Sequence, residues 1–269
     1  MKPDKIFELI EEDKKNKEFF STGFKSIDDS LDGGFLKKEI IILGAFTGVG
    51  KSMLAGQMFF NIASIGFNSA YFSLEISKEM ILSRLTGQIA NIKPSRIMNG
   101  LLTIDEYDAK AQAKTDITMH NENINIYDDI YLLDDIEQAI RNNNYEFVVV
   151  DFIQNILLDN GMDEYARLSL IAVKLQKLAK ETNSCILVLS QLSNRVGSNK
   201  SRLVEYKGSG AIAQVADLGF FMERDRPVLD INGRPIGDQK IGLSLRKNRR
   251  GVSGIVWGLS FSHPGGKIT

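Results

Sequence analysis

The sequence predicts an α/β protein with a mostly parallel central sheet that is flanked by helices. Apolar runs of about four to six residues, such as "IIILGA" at 40–45, alternate with segments whose apolar residues recur at helical spacing. Continuous apolar runs are typical of parallel strands covered on both faces. The length of 269 residues leaves room for one large domain with a sizeable core.

The predicted strands and helices alternate along the chain. Strands are expected at 39–45, 69–75, 124–129, 147–151, 185–190, 217–222, 239–246 and 253–260. Helices are expected at 51–65, 77–91, over most of 94–118, at 132–144 and at 164–182. Ser77 has the hydroxyl and the position of an N-cap for the second of these helices.

The start of the chain predicts a short linker helix over 4–16. Its apolar residues fall on one side, and the helix is too short to be stable without a surface to pack on. These apolar residues are Ile6, Phe7, Leu9 and Ile10. We assign residues 1–20 to this helix and its connection, and residues 21–269 to the main domain.

Composition excludes several classes of function. The formal net charge of −1 gives no global positive field, so a nucleic-acid contact must be local or built from several subunits. Cys185 is the only cysteine, which excludes an internal disulfide and fits a cytoplasmic setting. His120 and His263 lie far apart, and no zinc-type cluster is visible. No apolar stretch approaches the ~18 residues of a membrane span, so no membrane contact is expected.

The stretch "GAFTGVGKS", residues 44–52, has the pattern of a phosphate loop between a strand and a helix. Glycines let the backbone direct N–H groups at oxygen anions, and the following helix start adds a positive dipole end. Lys51 adds a cation for the β- and γ-phosphates, and Ser52 adds a hydroxyl for Mg²⁺. Ala45 stands where the strict pattern has glycine. The predicted nucleotide-binding residues are Ala45, Phe46, Thr47, Gly48, Val49, Gly50, Lys51 and Ser52.

Two acids and an amide follow other predicted strands at the same edge of the sheet. Asp151 ends "FVVVD", where it can join Ser52 in holding Mg²⁺. Glu75 ends "YFSLE", and its longer side chain can accept a proton from the attacking water. Gln191 follows "CILVLS", where a neutral amide can sense the γ-phosphate of ATP.

Together these segments resemble the ATPase domain of the DnaB-type replicative hexameric helicases, which belong to the RecA-like superfamily of phosphate-loop NTPases. The resemblance extends from about Ser21 to Gly258. "YFSLEIS" is similar to the family's "SLEM" motif, and "VVVDFIQNI" is similar to its "IDYLQL" strand. "GSGAIAQVADLGFF" resembles the family's "SGAIEQDADVV", and "RKNRRGVSG" resembles its "KNRNGPTG".

The resemblance implies an ATP-hydrolysing helicase. It implies a ring of six identical subunits that binds ATP between neighbours, moves 5′ to 3′ on single-stranded DNA and unwinds the duplex. Lys247 and Arg249 match the positions that reach the neighbouring subunit's γ-phosphate. The loop matching the family's DNA-binding loop reads "YKGSG" instead of "RESG", and Arg195, Lys200 and Arg202 lie in the same region. The matched loop residues are Lys207, Gly208, Ser209 and Gly210.

The resemblance also bears on partners. Full-length family members carry a helical amino-terminal domain that recruits primase and stabilises the ring, whereas about twenty residues precede Ser21 here. We therefore expect a natural short form or an excised domain, in which 4–16 resembles the linker helix that packs on a neighbour. A primase and a helicase loader are the further partners that the resemblance suggests.

Two alternatives remain open from the sequence. RadA-type recombination ATPases share the phosphate loop and a "KNR" motif, although "SLEIS" fits the helicases better. The chain is otherwise an ATP-gated clamp on single-stranded DNA with little unwinding activity. DNA-stimulated hydrolysis without duplex separation would distinguish the clamp from the helicase.

Overall fold

The structure is a computed structural model that describes residues 19–158, 161–192, 210–225 and 236–269, together with Pro3, Lys5 and Asp230. The predicted linker helix over 4–16 therefore lies outside the described residues, apart from Lys5. Within the described ranges, no helix is both long enough and apolar enough to cross a bilayer.

The strands form one large sheet and one small one. The small antiparallel sheet pairs β1 (Phe19–Phe20) with β2 (Phe35–Leu36). The large sheet contains β3 (Ile40–Ala45), β4 (Ser69–Ser73), β5 (Ile124–Tyr127), β6 (Phe147–Asp151), β7 (Cys185–Gln191), β8 (Leu218–Arg224), β9 (Gln239–Asn248) and β10 (Val256–Phe261). Its order is β10-β9-β8-β3-β7-β6-β4-β5.

The helices lie between these strands. They are α1 (Lys25–Ser30), α2 (Lys51–Ser64), α3 (Lys78–Ala90), α4 (Pro94–Met98), α5 (Ile104–Thr118), α6 (Leu133–Asn143), α7 (Glu164–Thr182) and α8 (Gly210–Val215). Short 3₁₀ turns occupy Asn121–Asn123 and Ile153–Asn155.

The large sheet is mostly parallel, as the sequence predicts. Strands β8, β3, β7, β6, β4 and β5 all run in one direction. Strand β9 is antiparallel to β8, and β10 is antiparallel to β9. The carboxyl ends of β3, β4, β6, β7, β8 and β10 therefore meet at one edge of the sheet, which we call the loop edge.

Strand β3 lies inside the sheet and is covered on both faces. Ile41 and Leu43 belong to a core shared with α2, whereas Ile40 and Ile42 belong to a second core shared with α7. All six residues of β3 are buried. Burial on both faces explains why the strand is continuously apolar rather than alternating.

Helix starts agree with the sequence in one place and add a break in another. The Ser77 hydroxyl accepts a hydrogen bond from the Met80 N–H at 3.4 Å, which confirms the predicted N-cap. The stretch predicted as mostly helical over 94–118 is divided into α4 and α5. Thr103 starts α5 through a capping box with Glu106, and this box ends the break.

Candidate active site

The phosphate-loop sequence connects β3 to α2 at the loop edge. Gly48 and Gly50 have φ angles of 78° and 109°, values that favour glycine. Gly50 is the N-cap of α2, and it offers no side-chain acceptor to the first turn. The N–H groups at this helix start are therefore placed to bind an anion.

Lys51 begins α2 and is 9% exposed. Burial lowers the pKa of Lys51, while the negative charges of Asp151 and Glu75 oppose that shift. The ammonium group lies 6.0 Å from the centre of the Phe152 ring. A partly desolvated cation next to two carboxylates gives a strong local field for a multiply charged phosphate.

Asp151 ends β6 and is 1% exposed. Its Oδ2 accepts a hydrogen bond from the Tyr71 hydroxyl at 2.7 Å. Its Oδ1 is buried and has no hydrogen-bond partner among the described residues. Burial, reinforced by the Asp151 charge, raises the pKa of Tyr71 well above its ordinary value, so the phenol remains a donor at neutral pH.

Glu75 lies in the turn after β4 rather than in the strand. The prediction of a strand over 69–75 was too long, because β4 ends at Ser73. The Leu74 N–H donates to the Asp151 carbonyl at 2.8 Å, and the Asn155 side chain donates to the Leu74 carbonyl at 2.9 Å. These bonds turn the chain away from the sheet and leave Glu75 exposed at the cavity wall.

Gln191 is the last residue of β7, and it pairs with Ala45 across the sheet. Its side-chain Nε2 donates to the hydroxyl of Thr47 in the phosphate loop at 2.8 Å. The amide predicted to sense a phosphate therefore contacts the loop predicted to hold it.

A cavity of about 440 Å³ at the loop edge brings these groups together. Thr47, Lys51, Ser52, Glu75 and Gln191 all line it. Additional basic groups that the sequence reasoning missed also line it: Arg84, Lys93, Arg224 and His263. The cavity therefore collects basic side chains from separate parts of the chain.

Arg224 contacts the phosphate loop directly. Its Nη2 donates to the carbonyl of Gly48 at 2.7 Å, and its guanidinium lies 4.6 Å from the centre of the Phe261 ring. Burial lowers the pKa of Arg224. Burial, with Arg224 as a smaller cause, lowers the pKa of His263. Arg224 ends a parallel strand, so the rule that identified Asp151 was also a signal for this residue.

Lys247 and Arg249 lie at the opposite edge of the sheet. Asn248 pairs with Leu218 at the start of β8, whereas Met222, about 13 Å farther along β8, pairs with Ala45. The structure therefore does not bring these two cations to the phosphate loop of their own chain.

Both cations contact α8 and its connection to β8. Lys247 donates to the carbonyls of Ala213 and Gln214 at 2.8 and 2.7 Å. Arg249 forms an ion pair with Asp217 at 2.9 Å and donates to the Gln214 carbonyl at 2.8 Å. Burial and the nearby Arg249 lower the pKa of Lys247.

The predicted DNA-binding loop lies almost entirely outside the described residues. Lys207, Gly208 and Ser209 belong to that part, and Gly210 is described only as the first residue of α8. The flanking basic residues Arg195, Lys200 and Arg202 lie outside as well.

Comparison with known sequences identifies relatives over most of the chain. The family model of the DnaB-like helicase C-terminal domain matches residues 20–265. Replicative DNA helicase DnaB of Treponema pallidum (strain Nichols) is 30% identical over 243 residues, which cover 88% of this chain and 52% of the relative. The corresponding protein of Geobacillus stearothermophilus is 29% identical over 248 residues, which cover 87% and 53%. The chain thus spans about half the length of these curated relatives.

Solved structures agree with the fold. A solved helicase-type ATPase domain matches with a TM-score of 0.81 and 23% identity, over 98% of this chain and 95% of that one. A DnaB-like replicative helicase, solved to study its interactions with primase, matches with a TM-score of 0.82 and 21% identity. That match covers 100% of this chain and 66% of the other. These likenesses confirm the predicted RecA-like α/β fold.

Proposed function

The chain belongs to the DnaB-like helicase C-terminal domain family, and from this we propose that it is an ATP-hydrolysing motor that moves on single-stranded DNA and unwinds duplex. The observation that carries the proposal is the cavity at the loop edge. It collects Lys51, Glu75 and Gln191 around a glycine-rich helix start. This set can bind a triphosphate, accept a proton and respond to the terminal phosphate.

ATP and Mg²⁺ fit the residues present. The buried Oδ1 of Asp151 has no hydrogen-bond partner among the described residues, and such an atom suits a metal ion or a metal-bound water. Ser52, at the start of α2, offers the hydroxyl that completes the protein's share of the site. Bound Mg²⁺ would neutralise part of the phosphate charge.

The chain's own residues divide the work of hydrolysis. Lys51 and the helix-start N–H groups bind the phosphates. Glu75 accepts the proton of the attacking water through a carboxylate oxygen, and its exposure at the cavity wall leaves it accessible to that water. Arg224 holds the phosphate loop in place through the Gly48 carbonyl. Gln191 detects the γ-phosphate and passes its presence to the chain that follows β7.

A neighbouring subunit completes the site in this proposal. Lys247 and Arg249 lie at the edge of the sheet opposite their own phosphate loop, which supports a role toward the next chain. An arginine supplied in this way can contribute about 10³–10⁵ in rate. We propose that six identical chains form the ring, with Lys207 to Gly210 of each chain facing single-stranded DNA. Primase and a helicase loader are the proposed partners.

The decisive experiment measures two activities on the same preparation. We expect phosphate release that depends on Mg²⁺ and is stimulated by single-stranded DNA, together with separation of a forked duplex. Stimulated hydrolysis without duplex separation would favour the ATP-gated clamp. Filaments on DNA, rather than rings in electron micrographs, would favour the recombination ATPase. A chain with no nucleotide affinity in the presence of Mg²⁺ would exclude all three.

A further inference from the structure

Gln154 uses its whole side-chain amide on the end of β7. It lies in the 3₁₀ turn that follows β6, and its Nε2 donates to the Ser190 hydroxyl at 3.2 Å and to the Gln191 carbonyl at 3.0 Å. Its Oε1 accepts a hydrogen bond from the Gln191 N–H at 3.3 Å. Gln154 therefore holds both backbone polar groups of Gln191.

These bonds replace strand pairing where the sheet lacks it. Strand β7 pairs with β3 as far as Gln191, but on its other side the pairing with β6 ends at Val188. The backbone of the last residues of β7 would have no partner on that side without Gln154. An amide side chain presents one donor and one acceptor, as a strand residue does, so it can continue the ladder.

The turn that carries Gln154 is itself anchored from helix α7. Arg167 donates through Nη2 to the Gln154 carbonyl at 3.1 Å, and through Nη1 to the carbonyl of Ile156. The half-buried guanidinium thus fixes the two ends of a short turn. The amide of Gln154 is presented to β7 from a fixed base.

Gln191 in turn reaches the phosphate loop. Its Nε2 donates to the Thr47 hydroxyl at 2.8 Å. The residue after it is fixed as well, because the Leu192 N–H donates to the Ala45 carbonyl at 3.0 Å. A continuous series of bonds therefore leads from α7, through Gln154 and Gln191, to the cavity wall.

We propose that Gln154 is a positioning residue, which holds Gln191 so that its amide faces the terminal phosphate of the bound nucleotide. The inference rests on the proposed function of the cavity. Gln154 itself does not line the cavity and acts through Gln191. Its role is therefore to distinguish a triphosphate from a diphosphate, not to bind the nucleotide as such.

Two variants and a control test the proposal by kinetics. Gln154→Leu keeps the side chain's size and removes all three hydrogen bonds. We expect kcat for ATP to fall about ten- to a hundredfold, the loss that follows removal of a hydrogen bond to a charged group. Affinity for ADP should stay within about twofold, because ADP lacks the terminal phosphate that Gln191 contacts. Gln112→Leu, which changes an exposed glutamine on α5, is the matched control.

A double variant tests whether Gln154 acts through Gln191. Gln154→Leu combined with Gln191→Ala should be no slower than Gln191→Ala alone, because residues that act as a unit do not add. Losses that multiply would overturn the proposal. A wild-type kcat in Gln154→Leu would overturn it as well.

A measurement on the nucleotide-free chain separates this inference from the proposed function. The side-chain amide of Gln191 should exchange its hydrogens slowly in the wild type, because it is bonded to Thr47. In Gln154→Leu we expect faster exchange at that amide by NMR. Unchanged exchange would overturn the positioning role, whereas absent ATP hydrolysis in the wild type would overturn only the proposed function. Gln154→Glu, which places a carboxylate against the Gln191 carbonyl, gives the same test should Gln154→Leu not fold.

Discussion

The hydroxyl of Tyr71 donates a hydrogen bond of 2.7 Å to Oδ2 of Asp151, and both side chains are buried. Tyr71 lies on β4 and Asp151 on β6, which are neighbouring parallel strands. The ring of Tyr71 also packs edge-on against Phe59 of α2, with 5.5 Å between centroids. One side chain therefore connects the carboxylate proposed to hold Mg²⁺ to the helix that begins at the phosphate loop.

Replacing Tyr71 with phenylalanine should weaken both the fold and the metal site. The change leaves Oδ2 of Asp151 buried without its donor, so we expect unfolding in urea to require about 1–3 kcal/mol less free energy. The Mg²⁺ concentration for half-maximal hydrolysis should also rise. Tyr107→Phe, on the exposed face of α5, is the control. Unchanged values for both quantities would contradict the role of this bond.

Stability should fall at alkaline pH in a way that depends on Tyr71. The folded state raises the pKa of this phenol, so it binds the proton more tightly than the unfolded state does. The contribution is complete below the ordinary tyrosine pKa of about 10 and is lost as the pH rises above that value. Urea unfolding of the wild type and Tyr71→Phe across this range should show a smaller alkaline loss in the variant.

Lys51→Ala should abolish nucleotide binding or turnover. The variant removes the buried cation that faces the phosphates, and we expect affinity for ATP to fall by at least about tenfold. Calorimetric titration with a non-hydrolysable ATP analogue measures this loss. Lys114→Ala, on the exposed face of α5, should bind as the wild type does. Equal affinities for the two variants would remove Lys51 from the site.

Glu75→Gln should separate binding from chemistry. The amide cannot accept the proton of the attacking water, so hydrolysis should fall by about a hundredfold or more. Affinity for the ATP analogue should remain within a few fold, because the shape of the side chain is kept. Glu79→Gln, an exposed acid at the start of α3, is the matched control. Wild-type turnover in Glu75→Gln would assign the base to another residue.

Arg249→Ala should spare nucleotide binding to the isolated chain and reduce hydrolysis in the assembly by about 10³-fold or more. Mixing it with Lys51→Ala should partly restore activity, because some interfaces then pair an intact phosphate loop with an intact arginine. Asp217→Asn disrupts the same ion pair but keeps the cation, so it controls for the structural loss. No recovery at any mixing ratio would count against action across an interface.

Much of the fold could be predicted because it depends on local patterns. The helix predicted at 164–182 matches α7 at both ends, since its apolar residues recur at helical spacing and polar segments flank it. The break between α4 and α5 was missed. Its signal was present as "TIDE" at 103–106, a sequence that forms a capping box.

The candidate site was predicted in part, because the carboxyl ends of parallel strands share an edge. That rule selected Glu75, Asp151 and Gln191, all of which lie at the loop edge. It did not select His263, because β10 reaches the edge only through the reversal of direction at β9. Gln154 was missed for another reason. Its importance depends on where the pairing of β6 with β7 stops, and the sequence does not reveal this register.

The location of the phosphate loop and of Arg249 at opposite ends of the sheet has a consequence for how copies of this chain associate. A contact that joins one end to the other is heterologous, so two subunits related by a two-fold axis cannot satisfy it mutually. The rotation from each subunit to the next then decides the outcome. A rotation that divides a full circle evenly closes the assembly, and any other rotation winds it into a helix whose terminal copies each keep one unused half of a site.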